Sequence, residues 1–175
     1  MSKTKEIIIR ITMTAMMTGL IYIATMFLAV PYPLNAGYFN LSDCLILFTT
    51  IFIGPIEGMF AGAVGSLLAD ITSSFAIFVP FTIVAKGLEA LAAYIIYRIL
   101  KNHKHLKYIS IFIAPLFMVA TYFVAYIILY GINSTITSTP LDLLQGFIGS
   151  IVAYVLLKIF LRYPLPFRRN LSTIK

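Results

Sequence analysis

The chain alternates long apolar runs with short polar breaks. Predominantly apolar runs cover about positions 8–30, 42–53, 56–73, 80–100, 108–131 and 140–162, bounded by Pro, Gly, Asn or charge. A spanning helix takes about 20 residues, so the pattern predicts six transmembrane helices. The second run is short and stops at Gly54-Pro55, where Pro55 suits the first turn of the third helix and Ser42 suits a cap at the start of the second. The expected fold is an all-α integral membrane protein, a compact six-helix bundle forming a single domain over residues 1–175.

Basic residues give the bundle an orientation. Lys3, Lys5 and Arg10 precede or open the first run; Arg98, Lys101, Lys104 and Lys107 surround the fourth-to-fifth connection; Arg162, Arg168, Arg169 and Lys175 follow the sixth. The connections at 31–41, 74–79 and 132–139 contain neither Lys nor Arg. With six spans the basic clusters share one side, and the positive-inside rule places both termini in the cytoplasm. This alternation also requires the second run to be a real crossing or a deep hairpin arm. The opening "MSKTKEIIIR" has the charge of a signal peptide, but the apolar run after it is long enough to span, so it is expected to be retained as a first helix.

Composition agrees with the pattern. Of 175 residues, 61% are hydrophobic and 11% charged, and the mean hydropathy is +0.98; soluble domains have about 25% charged residues. The net charge of +7 is therefore read as a topology signal rather than a nucleic-acid surface. The single Cys44 excludes an internal disulfide framework.

Against this background the ionisable groups in the spans stand out, because charge in a bilayer usually faces a bundle interior or a water-filled cavity. Asp43, Asp70, Lys86, Glu89 and Asp142, with the polar Gln145, all fall in the half of the bundle beside the connections that lack Lys and Arg. Asp43 and Asp142 also suit helix starts on dipole grounds, and Lys86 and Glu89 could neutralise each other at i,i+3. Asp70 has no opposite charge within a turn of its own helix, which makes Lys86 its expected cross-helix partner. Tyr38 and Phe39, Phe75 and Phe78, and Tyr122, Tyr126 and Tyr130 could line a cavity for a flat polar ring; the last three also fit an interfacial belt. Gly58, Gly62 and Ser66, with Ala61, Gly65 and Ala69, give the third helix small faces for close packing. Ala15 and Gly19 form a further small pair on the first helix, open to internal packing or to a partner subunit. Glu57, beside the basic-side turn, is left to solvent or a partner.

No nucleotide loop, metal-ligand spacing or nucleophile elbow occurs, and His103 and His105 sit in a basic connection that reads as a solvated turn. The stretches "GYFNLSDCLILFTTIFIGPIEGMFAGAVGSLLADI" and "PFTIVAKGLEALAAYI" resemble the S components of energy-coupling factor (ECF) vitamin transporters, in the riboflavin, hydroxymethylpyrimidine and pyridoxine group. That resemblance implies capture of a vitamin from the external side of a cell membrane, expected to be a bacterial cytoplasmic membrane. It also implies assembly with an EcfT-type transmembrane coupling protein and two cytoplasmic ABC ATPases, so that ATP chemistry lies on the partners and this chain needs no cofactor. Residues 31–40 would form a gate, and the family's docking motif of two alanines four apart would fall on Ala15 and Gly19, with glycine in the second place. The implied substrate is pyridoxine, with hydroxymethylpyrimidine or riboflavin as alternatives, and the site residues are Tyr38, Asn40, Asp43, Asp70, Lys86, Glu89, Tyr126 and Gln145. A stand-alone solute carrier and a membrane enzyme are the other classes that the residues leave open.

Overall fold

A computed structural model describes residues 2–32, 37–103 and 105–160. Helix α1 (Lys3–Phe27) is followed by a two-stranded antiparallel hairpin, β1 (Val30–Pro31) and β2 (Tyr38–Phe39), with Val30 opposite Phe39. Then come α2 (Ser42–Phe52), α3 (Pro55–Thr72), a single 3-10 turn (Ala76–Phe78) leading into α4 (Val79–Ile99), α5 (Leu106–Tyr130) and α6 (Ile132–Phe160). Lys104 and the basic residues beyond position 160 lie outside the described residues, as does part of the expected gate, 33–36.

Four helices, α1, α4 with its leading turn, α5 and α6, are long and apolar enough to cross a membrane. The 11 residues of α2 rise only about 16 Å at 1.5 Å each, roughly half of a hydrocarbon core. Its position explains why this is tolerated. α2 is surrounded by α1, α3, α4 and α6, and all its residues except Leu45 and Ile51 are buried. A helix enclosed by protein need not match the lipid thickness. The short second run is thus a deep hairpin arm with α3.

Glycines make this enclosure possible. A Cβ on Gly58 would come within 2.8 Å of the Thr50 Cα, and one on Gly65 within 2.7 Å of Ile21 Cγ2 and 2.8 Å of the Thr18 carbonyl oxygen. The small faces of α3 therefore seat α2 on one side and α1 on the other, as the spacing indicated. On α6, Gly146 and Gly149 do the same against Pro115 and Asp43, where added Cβ atoms would stand 2.6 and 3.0 Å away. Ile21, Ile46, Leu47, Ile53, Ile111 and Leu157 fill the middle of the bundle.

Two boundaries differ from expectation. α6 starts at Ile132, eight residues before Pro140, which lies inside it. Proline removes one backbone donor, while hydroxyls nearby bond back to carbonyls one turn earlier: Thr135 to Gly131 at 3.0 Å and Thr139 to Thr135 at 2.7 Å. Ser42 does not cap α2 with its side chain; the Asn40 Oδ1 accepts from the Ser42 backbone N–H at 2.9 Å and does that work. At the basic end Glu57 is held within the chain, by Arg10 Nε at 2.8 Å.

Candidate functional site

The end of the bundle opposite these basic residues gathers the start of α2, the end of α3, the starts of α4 and α6, and the last turns of α5. The hairpin closes over it. Gly37 has a φ of +122°, in the left-handed region that glycine favours, and a Cβ there would stand 2.8 Å from the Tyr126 hydroxyl. The hairpin lies this low because it has no side chain at that point. Three bonds fasten the hairpin and its exit to the bundle. The Tyr32 hydroxyl donates to Asp142 Oδ1 at 2.8 Å, the Tyr38 hydroxyl to Asp70 Oδ1 at 2.5 Å, and the Asn40 backbone N–H to Gln145 Oε1 at 2.9 Å. Burial, and the carboxylate beside each, pushes the Tyr32 and Tyr38 hydroxyls above the ordinary tyrosine range.

Under the hairpin is a small cavity of about 20 Å³, the room of roughly one water molecule. Of the residues named from the sequence, Tyr38, Asn40, Asp70, Tyr126 and Gln145 line it, and Gly37, Phe78, Thr82, Tyr122 and Asp142 complete the wall. Tyr122 and Tyr126 stack with centroids 6.1 Å apart and planes at 19°, and Phe78 meets Tyr126 edge-on at 5.8 Å. These two tyrosines therefore face inward and are not belt residues; Tyr130, 40% exposed, is the one at the surface.

Asp43, Lys86 and Glu89 form a second layer outside the cavity wall. Lys86 Nζ donates to Asp43 Oδ1, with Glu89 Oε2 at 3.9 Å, while Asp43 Oδ2 accepts from Gln145 Nε2 at 2.7 Å. Lys86 thus pairs with Asp43 rather than with Asp70. The reason is reach: the start of α2 projects into the bundle centre beside α4, while Asp70 is served by Tyr38 and by the Thr82 hydroxyl at 2.5 Å. Thr82 also lies 3.1 Å from the Tyr122 hydroxyl, and Lys86 Nζ stands 5.9 Å from the Tyr122 ring centre. Gln145 joins the layers, since one end of its amide meets Asp43 and the other the hairpin exit. Both carboxyl oxygens of Glu89, and Oδ2 of Asp142, have no hydrogen-bond partner among the described residues. Four buried carboxyl groups, Asp43, Asp70, Glu89 and Asp142, face one buried ammonium, Lys86. The site is rich in acceptors and walled by aromatic rings, which suits a small flat ligand that brings its own donors.

Sequence reasoning gave Tyr32 and Thr82 no role; it counted Tyr122 among the rings that could line a cavity and Asp142 among the grouped polar residues, but named neither as a site residue. Thr82 was findable, one turn before Lys86 on the same face of α4. Tyr32 was not, because its partner is 110 positions away.

The fold is an apolar helical membrane bundle with a polar, aromatic-walled cavity at one end. The chain belongs to the family described as ECF-type riboflavin transporter, S component, whose profile matches residues 5–162. It is accordingly a multi-pass membrane protein and the S component of a vitamin transporter. One solved structure, described as the S component of a bacterial ECF transporter, superposes with a TM-score of 0.72 at 22% identity, covering 87% of this chain and 95% of that one. Among curated proteins, an uncharacterized protein of Pyrococcus woesei is 29% identical over 130 residues, 74% of this chain and 86% of that protein. The thiamine precursor transporter HmpT of Lactococcus lactis subsp. cremoris is 24% identical over 148 residues, 84% of each.

Proposed function

We propose that this protein captures a small heteroaromatic vitamin, pyridoxine first, at the base-free end of the bundle. That end faces outward, both termini are cytoplasmic, and transport is driven by an EcfT-type coupling protein with two cytoplasmic ABC ATPases. The observation that carries the substrate reading is the cavity under the hairpin, where stacked aromatic rings stand beside an excess of carboxyl acceptors. Pyridoxine brings several hydroxyl donors and an ionisable ring nitrogen to such a wall. Hydroxymethylpyrimidine is the second reading, supported by the thiamine precursor assigned to the Lactococcus relative. Riboflavin is the third reading, supported by the description of the matching family; all three rings exceed the closed cavity of about 20 Å³. Entry of any ring requires the hairpin to lift, which breaks its bonds to Asp142, Asp70 and Gln145.

For assembly, Ala15 and Gly19 are exposed on α1, and nothing lies within 4 Å of a Cβ added at Gly19. This open strip supports its use as the docking face for the coupling protein. Purified protein is examined by mass spectrometry for a retained vitamin and titrated with the three candidates. Dissociation constants all weaker than about 1 μM, near −8 kcal/mol, would sink the substrate reading. Asp70→Asn is expected to weaken binding about tenfold or more through loss of a charge-assisted acceptor.

A further inference from the structure

Within the cavity wall, Asp142 has an oxygen that the protein leaves without a well-placed donor. The residue is 2% exposed; Oδ1 accepts from Tyr32 at 2.8 Å, and Oδ2 has no hydrogen-bond partner among the described residues. The Tyr126 hydroxyl interacts with this carboxyl from α5 as a weak hydrogen-bond donor, without reaching full bonding geometry at Oδ2, so that oxygen keeps room for a better-placed donor. The other nearby donors are engaged. Lys86 Nζ is held by Asp43, with Glu89 next to it, and Gln145 Nε2 is given to Asp43. Buried polar atoms are nearly always partnered, so an acceptor of this kind in a ligand cavity marks where a donor from the ligand belongs.

We propose that Asp142 is the specificity-determining residue of the site: its Oδ2 accepts a hydrogen bond from a ring or exocyclic N–H of the ligand. This rests on the reading of the cavity as a vitamin site and adds a rule to it. Rings that present an N–H are selected over rings of the same shape that lack one, and phosphorylated forms are rejected because they bring negative charge to a wall already rich in carboxyl groups. Tyr32 acts as a positioning residue, fixing the carboxyl through Oδ1 from the hairpin side.

The test uses the full chain in detergent, with calorimetric titration of matched probes. Pyridoxine, whose ring nitrogen bears an N–H in its protonated form, is paired with its counterpart in which carbon replaces that nitrogen, and hydroxymethylpyrimidine with its counterpart in which methyl replaces the amino group. Wild-type protein is expected to bind the N–H member of a pair about 10- to 100-fold more tightly, the range of a hydrogen bond to a charged group. Asp142→Asn should remove most of that preference by weakening the N–H member alone. Tyr32→Phe should weaken binding while leaving the preference in place. Equal affinities within each pair, or an unchanged preference in Asp142→Asn, overturn the inference and leave vitamin capture standing. If no probe binds wild-type protein, the vitamin reading falls and this rule with it. Should Asp142→Asn fail to fold, Asp142→Ser takes its place in the same paired comparison, with the same loss of preference expected.

Discussion

Replacing Lys86 by Met should destabilise the bundle far more than a surface change, because of what it leaves behind. Lys86 and Asp43 are both almost fully buried, with side-chain exposures of 2% and 0%. Without the ammonium, Asp43 keeps only the Gln145 amide on Oδ2, and Glu89 loses the one positive charge near it. Removing one member of a buried ion pair costs about 3–5 kcal/mol. At about 2–4 °C per kcal/mol for a chain of this size, the melting temperature should fall by about 6–20 °C. The double variant Lys86→Met/Asp43→Asn removes both charges while retaining an acceptor for Gln145, so most of the loss should return. Thermal unfolding in detergent, compared at one scan rate because membrane proteins often unfold irreversibly, reads both variants with Asp43→Asn to complete the cycle. A single variant melting within 2–3 °C of wild type would refute the reasoning, as would a double variant no more stable than Lys86→Met. Either outcome would mean that water reaches the layer, or that the neighbours rearrange to solvate Asp43.

Other outcomes follow from packing and from the hairpin. Gly58→Leu should lower the melting temperature, since a side chain meets the Thr50 backbone and overpacking costs about 1–3 kcal/mol or more. Gly19→Leu, with open space around it, should leave melting and ligand binding unchanged but reduce co-purification of the coupling protein; normal assembly would move the docking face elsewhere. Tyr32 and Tyr38 have hydroxyls raised above the ordinary value by burial and by their carboxylate neighbours, so they should stay protonated in folded protein where a free tyrosine, near pH 10, ionises. Their contribution to stability is complete below about pH 10 and declines as pH rises beyond it. In ultraviolet titration, Tyr32→Phe/Tyr38→Phe and wild type should show the same phenolate absorbance at pH 11 when folded and differ only when denatured; a difference in the folded state would mean that the hairpin leaves both hydroxyls open to water.

Hydrophobic patterning alone determined that this is a helical membrane protein, where most helices lie, and which end carries the polar groups. These follow from local rules: spanning length, the cost of charge in lipid, and turn residues such as Gly54-Pro55. The small faces of α3 were legible for the same reason, since Gly58, Gly62 and Gly65 recur at helical spacing. The tertiary structure decided what spacing cannot express. It placed the short α2 at the centre, where protein rather than lipid satisfies it, and thereby gave Lys86 to Asp43 instead of Asp70. It turned Tyr122 and Tyr126 inward, brought Tyr32 across the chain to Asp142, and left Asp142 Oδ2 in the cavity wall without a well-placed donor. These features depend on how segments distant in sequence pack together, which the order of apolar and polar residues does not encode.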